Sequence, residues 1–190
     1  MLDRLRNSWL RPLRRWLRDD RGTLALELAF AMPVVLVLLY SGIEVTRYVM
    51  LNQKVERTAA TLADLVSQAE DLTEGGLATL FEAANFVMDP YSISGDGLVV
   101  VSSIVNHGNG AVISWQRNHG GGSGGSAFGA QGGSASLPPG FVVRENETAV
   151  VAEVYFDYEP ILLRSVVETQ TLYTFALFRP RFSSLETLLP

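Results

Sequence analysis

Cysteine is missing from all 190 residues, histidine occurs twice, and no lysine follows Lys54. The first absence removes disulfides, thiol nucleophiles and cysteine-based zinc sites, so an exported domain must be held by its hydrophobic core. The two histidines, His107 and His119, each stand beside a glycine. Neither has a metal-ligand companion at helical or strand spacing, so both read as solvent-exposed turn residues, and no metal or cofactor is expected. The glycine-rich stretch 118–140 is followed by neither a lysine nor a helical pattern, and a phosphate-cradling loop draws on both. Positive charge is also scarce beyond residue 22. The first 22 residues hold seven arginines against Asp3, Asp19 and Asp20, a surplus of four. The chain total is −5, which leaves −9 on the rest. That acidic remainder lacks the basic footprint nucleic acid requires. The same sorting of charge suits a membrane protein with its N-terminus in the cytoplasm, because positive flanks stay inside.

What is present is a long apolar run. Thr23 to Ile43 is 21 residues with one charged side chain, Glu27. At about 1.5 Å per residue it covers roughly 30 Å, enough to cross a hydrocarbon core, so residues 23–43 read as a transmembrane helix. A cleavable secretory signal is the rival, with Ser41-Gly42 as its small residues. The run is long for such a signal, and Glu44 and Arg47 continue a helical pattern without a break. Pro33 removes one backbone hydrogen bond inside the span, either as a tolerated kink or as a point of adjustment when the helix leaves the bilayer. Upstream, in the basic cytoplasmic leader 1–22, Leu5, Trp9, Leu13, Trp16 and Leu17 fall near one helical face. Arginines cover much of the rest, the pattern of a segment lying on an anionic membrane surface.

Beyond the span, Val55, Ala59, Leu62, Val66 and Ala69 recur at four- and three-residue spacing, which continues the helix over residues 44–71 with one face packed. A turn is expected at Gly75-Gly76, then a short amphipathic helix through Leu77, Leu80, Phe81, Ala84 and Met88. Strands are expected at Leu98–Val105, Ala111–Gln116, Thr148–Tyr158 and Thr171–Phe178, each rich in β-branched and aromatic residues. His107-Gly108-Asn109-Gly110 reads as a hairpin turn between the first two. In the third, Val150, Ala152, Val154, Phe156 and Tyr158 share a face fit to cover a core. Glu145, Glu147, Glu153, Asp157 and Glu159 read as solvated strand positions rather than a catalytic pair, which would need a cleft. The 118–140 stretch reads as a solvated flexible insertion that adds little to the core, with an adhesive or partner-binding loop as the other reading. The fold class is therefore α+β: a long N-terminal helix followed by a small domain, residues 72–190, with an antiparallel sheet.

The segment Arg21-Gly22-Thr23-Leu24-Ala25-Leu26-Glu27-Leu28-Ala29-Phe30-Ala31-Met32-Pro33, its leucine-rich continuation and Gly42-Ile43-Glu44 resemble the TadE-like family. These are minor pilins or pseudopilins of the tight-adherence (Flp, type IV) pilus. Glu153 to Pro160 and Phe178 to Arg181 fit the same resemblance. Leu28 stands where many members have phenylalanine or tyrosine. The resemblance implies cleavage by a prepilin peptidase between Gly22 and Thr23, with Glu27 becoming the fifth mature residue. A carboxylate in hydrocarbon needs a partner, and the α-ammonium of a neighbouring subunit supplies one and sets axial register; the simpler alternative is that Glu27 snorkels to the headgroups. The implied partners are the peptidase, other major and minor pilins, the assembly platform in the inner membrane and the lipid bilayer. A single pass with the C-terminal domain outside the cytoplasm and no enzymatic activity are expected. The competing readings are an uncleaved single-pass anchor presenting an adhesion or binding domain, and an exported hydrolase using the acidic strand region.

Overall fold

The computed structural model describes residues 22–122, 124–161 and 168–190. The expected interfacial leader, with its tryptophans and Arg21, lies outside them. Helix α1 spans Thr23–Ser67, α2 Glu74–Met88 and α3 Ile93–Asp96. Strands β1 (Gly97–Asn106), β2 (Ala111–Gly120), β3 (Glu147–Tyr158) and β4 (Gln170–Phe178) form one sheet in the order β2-β1-β3-β4. Every pairing is antiparallel. By compactness the chain divides after Ile43, so α1 begins in one unit and ends in the other. The α+β architecture anticipated from the sequence is the one observed.

Helix α1 runs through Pro33 without interruption. It stops at Ser67, four residues short of the expected Asp71, and the cause is tertiary. The Arg181 N–H donates to the Ser67 carbonyl at 2.9 Å, the group that the Asp71 N–H would use to extend the helix. The Gly75-Gly76 pair is not a turn either. Thr73 caps α2, its hydroxyl oxygen accepting from the Gly76 N–H at 2.9 Å, and both glycines lie in the first helical turn. An N-cap of this kind satisfies a donor that the helix start leaves open, and it outweighs the low helix propensity of the glycines.

Leu51, Val55, Ala59, Leu62, Ala63 and Val66 of α1 are buried with Leu77, Phe81, Ala84 and Met88 of α2 against one face of the sheet. That face includes Val150, Ala152, Val154, Phe156 and Tyr158, as the alternation in β3 predicted. The hairpin between β1 and β2 also matches its expectation. Asn106 Oδ1 accepts from the N–H groups of Gly108 and Gly110, and both glycines have positive φ. Trp115 and Ile113 pair with adjacent β1 residues, so Ser114 is the extra residue of a bulge between Ser103 and Ile104.

The glycine-rich stretch departs from expectation. Strand β2 runs on to Gly120, and a side chain at Gly120 or Gly121 would bring Cβ within 2.3 Å of the Gly97 carbonyl oxygen or 2.4 Å of that of Ser94. Glycine is used here for close backbone approach, not slack. Further on, the chain returns along the β2 edge. The Gly132 N–H donates to the Ile113 carbonyl, the Ile113 N–H to Gly133 and the Ala135 N–H to Ala111, at 2.7–3.0 Å. Phe128 is buried with Ile104, Ile113, Val143, Ala149 and Val151 in a second cluster. The segment is thus a strap over the sheet face opposite α1, and it contributes to the core.

Candidate functional site

The apolar run is wholly uncovered. Leu24, Phe30, Val37 and Leu38 are each at least 60 % exposed, and the most apolar 18-residue window of α1 has no buried residue. Among the described residues, one helix is therefore long and apolar enough to cross a membrane. A face this large and this hydrophobic is unfavourable in water and calls for lipid or other protein surfaces around it.

Gly22 immediately precedes α1, and Thr23 is its first residue. A Cβ at Gly22 would meet nothing within 4 Å among the described residues, so their packing gives no reason for glycine there. The same is true of Gly42. Glu27 lies four residues, about one helical turn, beyond Thr23. Its side chain is exposed, and among the described residues no hydrogen bond or ion pair reaches its carboxylate. The chain thus places the three sequence-predicted residues at one end of the apolar helix.

For a fourth residue, Glu44, the sequence indicates only a place in Gly-Ile-Glu and a charge that continues the helical pattern beyond the span. It is 5 % exposed. Its Oε1 accepts a hydrogen bond from the Tyr158 hydroxyl, another from the Ile161 N–H at 3.2 Å and a third from Arg47 Nη1 at 3.4 Å. The edge of the Tyr48 ring packs on Tyr158 with centroids 5.2 Å apart. Burial of a carboxyl group is costly unless donors replace its water, and these three do so. Burial, together with the hydrogen bond to Glu44, pushes the Tyr158 hydroxyl up to about 12. Glu44 therefore ties the first turn after the apolar run to the end of β3.

Two further acidic and histidine expectations are corrected. Glu153 is not solvated: it is fully buried on the strap side of the sheet. It accepts from the Ser126 hydroxyl, the Ala127 N–H at 2.8 Å, and the Tyr155 and Tyr173 hydroxyls at 3.2 and 3.1 Å. An alternating strand cannot disclose this, because the burial comes from a strap distant in sequence. His119 lies on β2 rather than in a turn. Its ring stacks on Phe81 with centroids 5.2 Å apart and planes 11° from parallel, and its Nε2 is buried with no hydrogen-bond partner among the described residues. His107 is in the hairpin turn and largely exposed, as anticipated. Among the described residues no cluster of three or more His, Asp or Glu could hold a metal ion.

No curated protein and no solved structure matches the chain. A family model described as TadE-like protein matches residues 22–64. That interval opens on Gly22, contains Thr23, Glu27, Gly42 and Glu44, and ends inside the buried half of α1. Over residues 22–64, then, the chain is similar to TadE-like proteins, in agreement with the resemblance drawn from the sequence.

Proposed function

We propose that the chain is a minor pilin or pseudopilin of a tight-adherence (Flp, type IV) pilus, inserted once in the inner membrane with its sheet domain outside the cytoplasm. A prepilin peptidase cuts between Gly22 and Thr23, and the matured helix then packs with the apolar helices of other pilins. Glu27 pairs with the α-ammonium of a neighbouring subunit and fixes the axial register between them. The chain catalyses nothing itself; Gly22 is a recognition element and Glu27 an assembly element. One observation carries this reading: a helix similar to TadE-like proteins whose apolar surface is bare among the described residues, with a single carboxylate five residues past a glycine that the described packing does not require.

Glu27→Ala tests the assembly role. It makes the span more apolar, so insertion and folding of the domain should persist, while co-purification with other pilins and pilus output should fall. Unchanged association would instead favour a carboxylate that reaches the headgroups; an uncleaved anchor presenting a binding domain is separated by the mature N-terminus.

A further inference from the structure

The sheet face under the strap carries a feature that pilus anchoring does not use. Tyr155 on β3 and Tyr173 and Phe175 on β4 form a continuous aromatic strip. Ring centroids are 4.6 Å apart between the tyrosines and 6.1 Å between Tyr173 and Phe175. Tyr173 and Phe175 are 40 % and 39 % exposed, while Phe128 of the strap packs edge-on against Phe175. The strip is rigid, because both tyrosine hydroxyls donate to Oε1 of the buried Glu153. Burial, and then the proximity of Glu153, raise the ionisation of both tyrosines above the usual value, so the hydroxyls stay protonated as donors.

The charge on this face is unbalanced. Among the described residues no cation pairs with Glu153, whose partners are two tyrosines, a serine hydroxyl and one backbone N–H. Asp157, on the same face of β3, is held by the Thr171 hydroxyl at 2.6 Å and likewise has no cationic partner among the described residues. A phenol that donates to a carboxylate gains electron density in its ring, which strengthens the negative face that attracts cations. Two carboxylates and three partly open rings, with no cationic partner among the described residues, form a surface complementary to positive charge.

We infer that the Tyr155–Tyr173–Phe175 strip, backed by Glu153 and flanked by Asp157, is a docking surface for an arginine or lysine side chain presented by a partner protein. The cation lies over the tyrosine rings, and the buried carboxylate acts through them rather than by contact. This surface is independent of whether the leader is cleaved.

The test uses the full chain in detergent micelles and a peptide probe, N-acetyl-Gly-Arg-Gly-Arg-Gly-amide, followed by NMR of aromatic side chains. Saturable shifts are expected at Tyr155, Tyr173 and Phe175. Replacing both arginines of the probe by citrulline, a neutral group of nearly the same shape, should weaken binding about fivefold or more. Tyr173→Leu should have a comparable effect on the arginine probe. The citrulline comparison uses the unaltered protein and keeps the test decisive even if that variant misfolds. Equal binding of the two probes, or arginine-dependent shifts confined to other residues, would overturn the assignment.

Discussion

The two halves of α1 belong to one helix and live in opposite surroundings. Before Gly42, leucine, valine and phenylalanine point in every direction and no described residue covers them. Val45, Val49 and Met50 are still exposed, but from Leu51 on a buried stripe is established, and Leu51, Val55, Leu62 and Val66 lose essentially all contact with solvent. A helix apolar all round needs an apolar environment from outside the polypeptide, whereas a striped helix is completed by its own domain. The changeover begins at Glu44, the first buried residue of the helix, where a carboxylate that could have remained in water is instead hydrogen-bonded to the end of β3.

Substitutions in the two halves should separate these roles. Leu62→Ala removes a fully buried side chain and should cost about 4 kcal/mol of domain stability. Leu38→Ala, made on the exposed half, should leave thermal unfolding of the domain in micelles nearly unchanged. A comparable loss from both would mean that the bare half is also part of the folding unit.

The strap provides the next largest effect. Phe128→Ala should destabilise the domain by about 3 kcal/mol, because it empties the centre of the second cluster. Calorimetry that finds no change would restore the solvated-insertion reading of residues 118–140.

A smaller loss is expected at the changeover. Glu44→Ala leaves the Tyr158 hydroxyl and the Ile161 N–H without their acceptor, at a cost of about 1–3 kcal/mol. Equilibrium unfolding that matches the unaltered chain would show that water serves these donors equally well.

The smallest effect is in pH dependence. The Tyr158 hydroxyl ionises near 10 when free and near 12 in the fold. The unfolded chain therefore deprotonates first as pH rises. Stability contributed by the neutral hydroxyl is whole below pH 10 and lost as pH climbs through about 12. Tyr158→Phe should flatten that part of the stability curve; an identical decline in both proteins would assign it to other groups.

Much of this organisation was legible in the sequence. The long apolar helix, the stripe, the hairpin turn and the core face of β3 are periodic or local signals, and the structure reproduces them. What escaped depends on contacts between distant segments. Helix α1 ends early because Arg181 captures the Ser67 carbonyl. Glu153 is buried because Ser126 and Ala127 arrive from the strap. Glycines 120 and 121 looked like linker residues, yet their spacing to Gly97 and Ser94 forbids a side chain. Gly22 and Glu27 are a different case. Their signal lies in spacing and resemblance, and an isolated folded chain shows only that nothing within it requires them.

Edman sequencing or intact mass of the protein extracted from membranes of cells with an active prepilin peptidase tests the central claim most directly. The account predicts a mature chain beginning at Thr23, and a Gly22→Leu variant that retains its full leader, because the peptidase grips the backbone at a small residue. Native protein that still begins at Met1 under those conditions would contradict it.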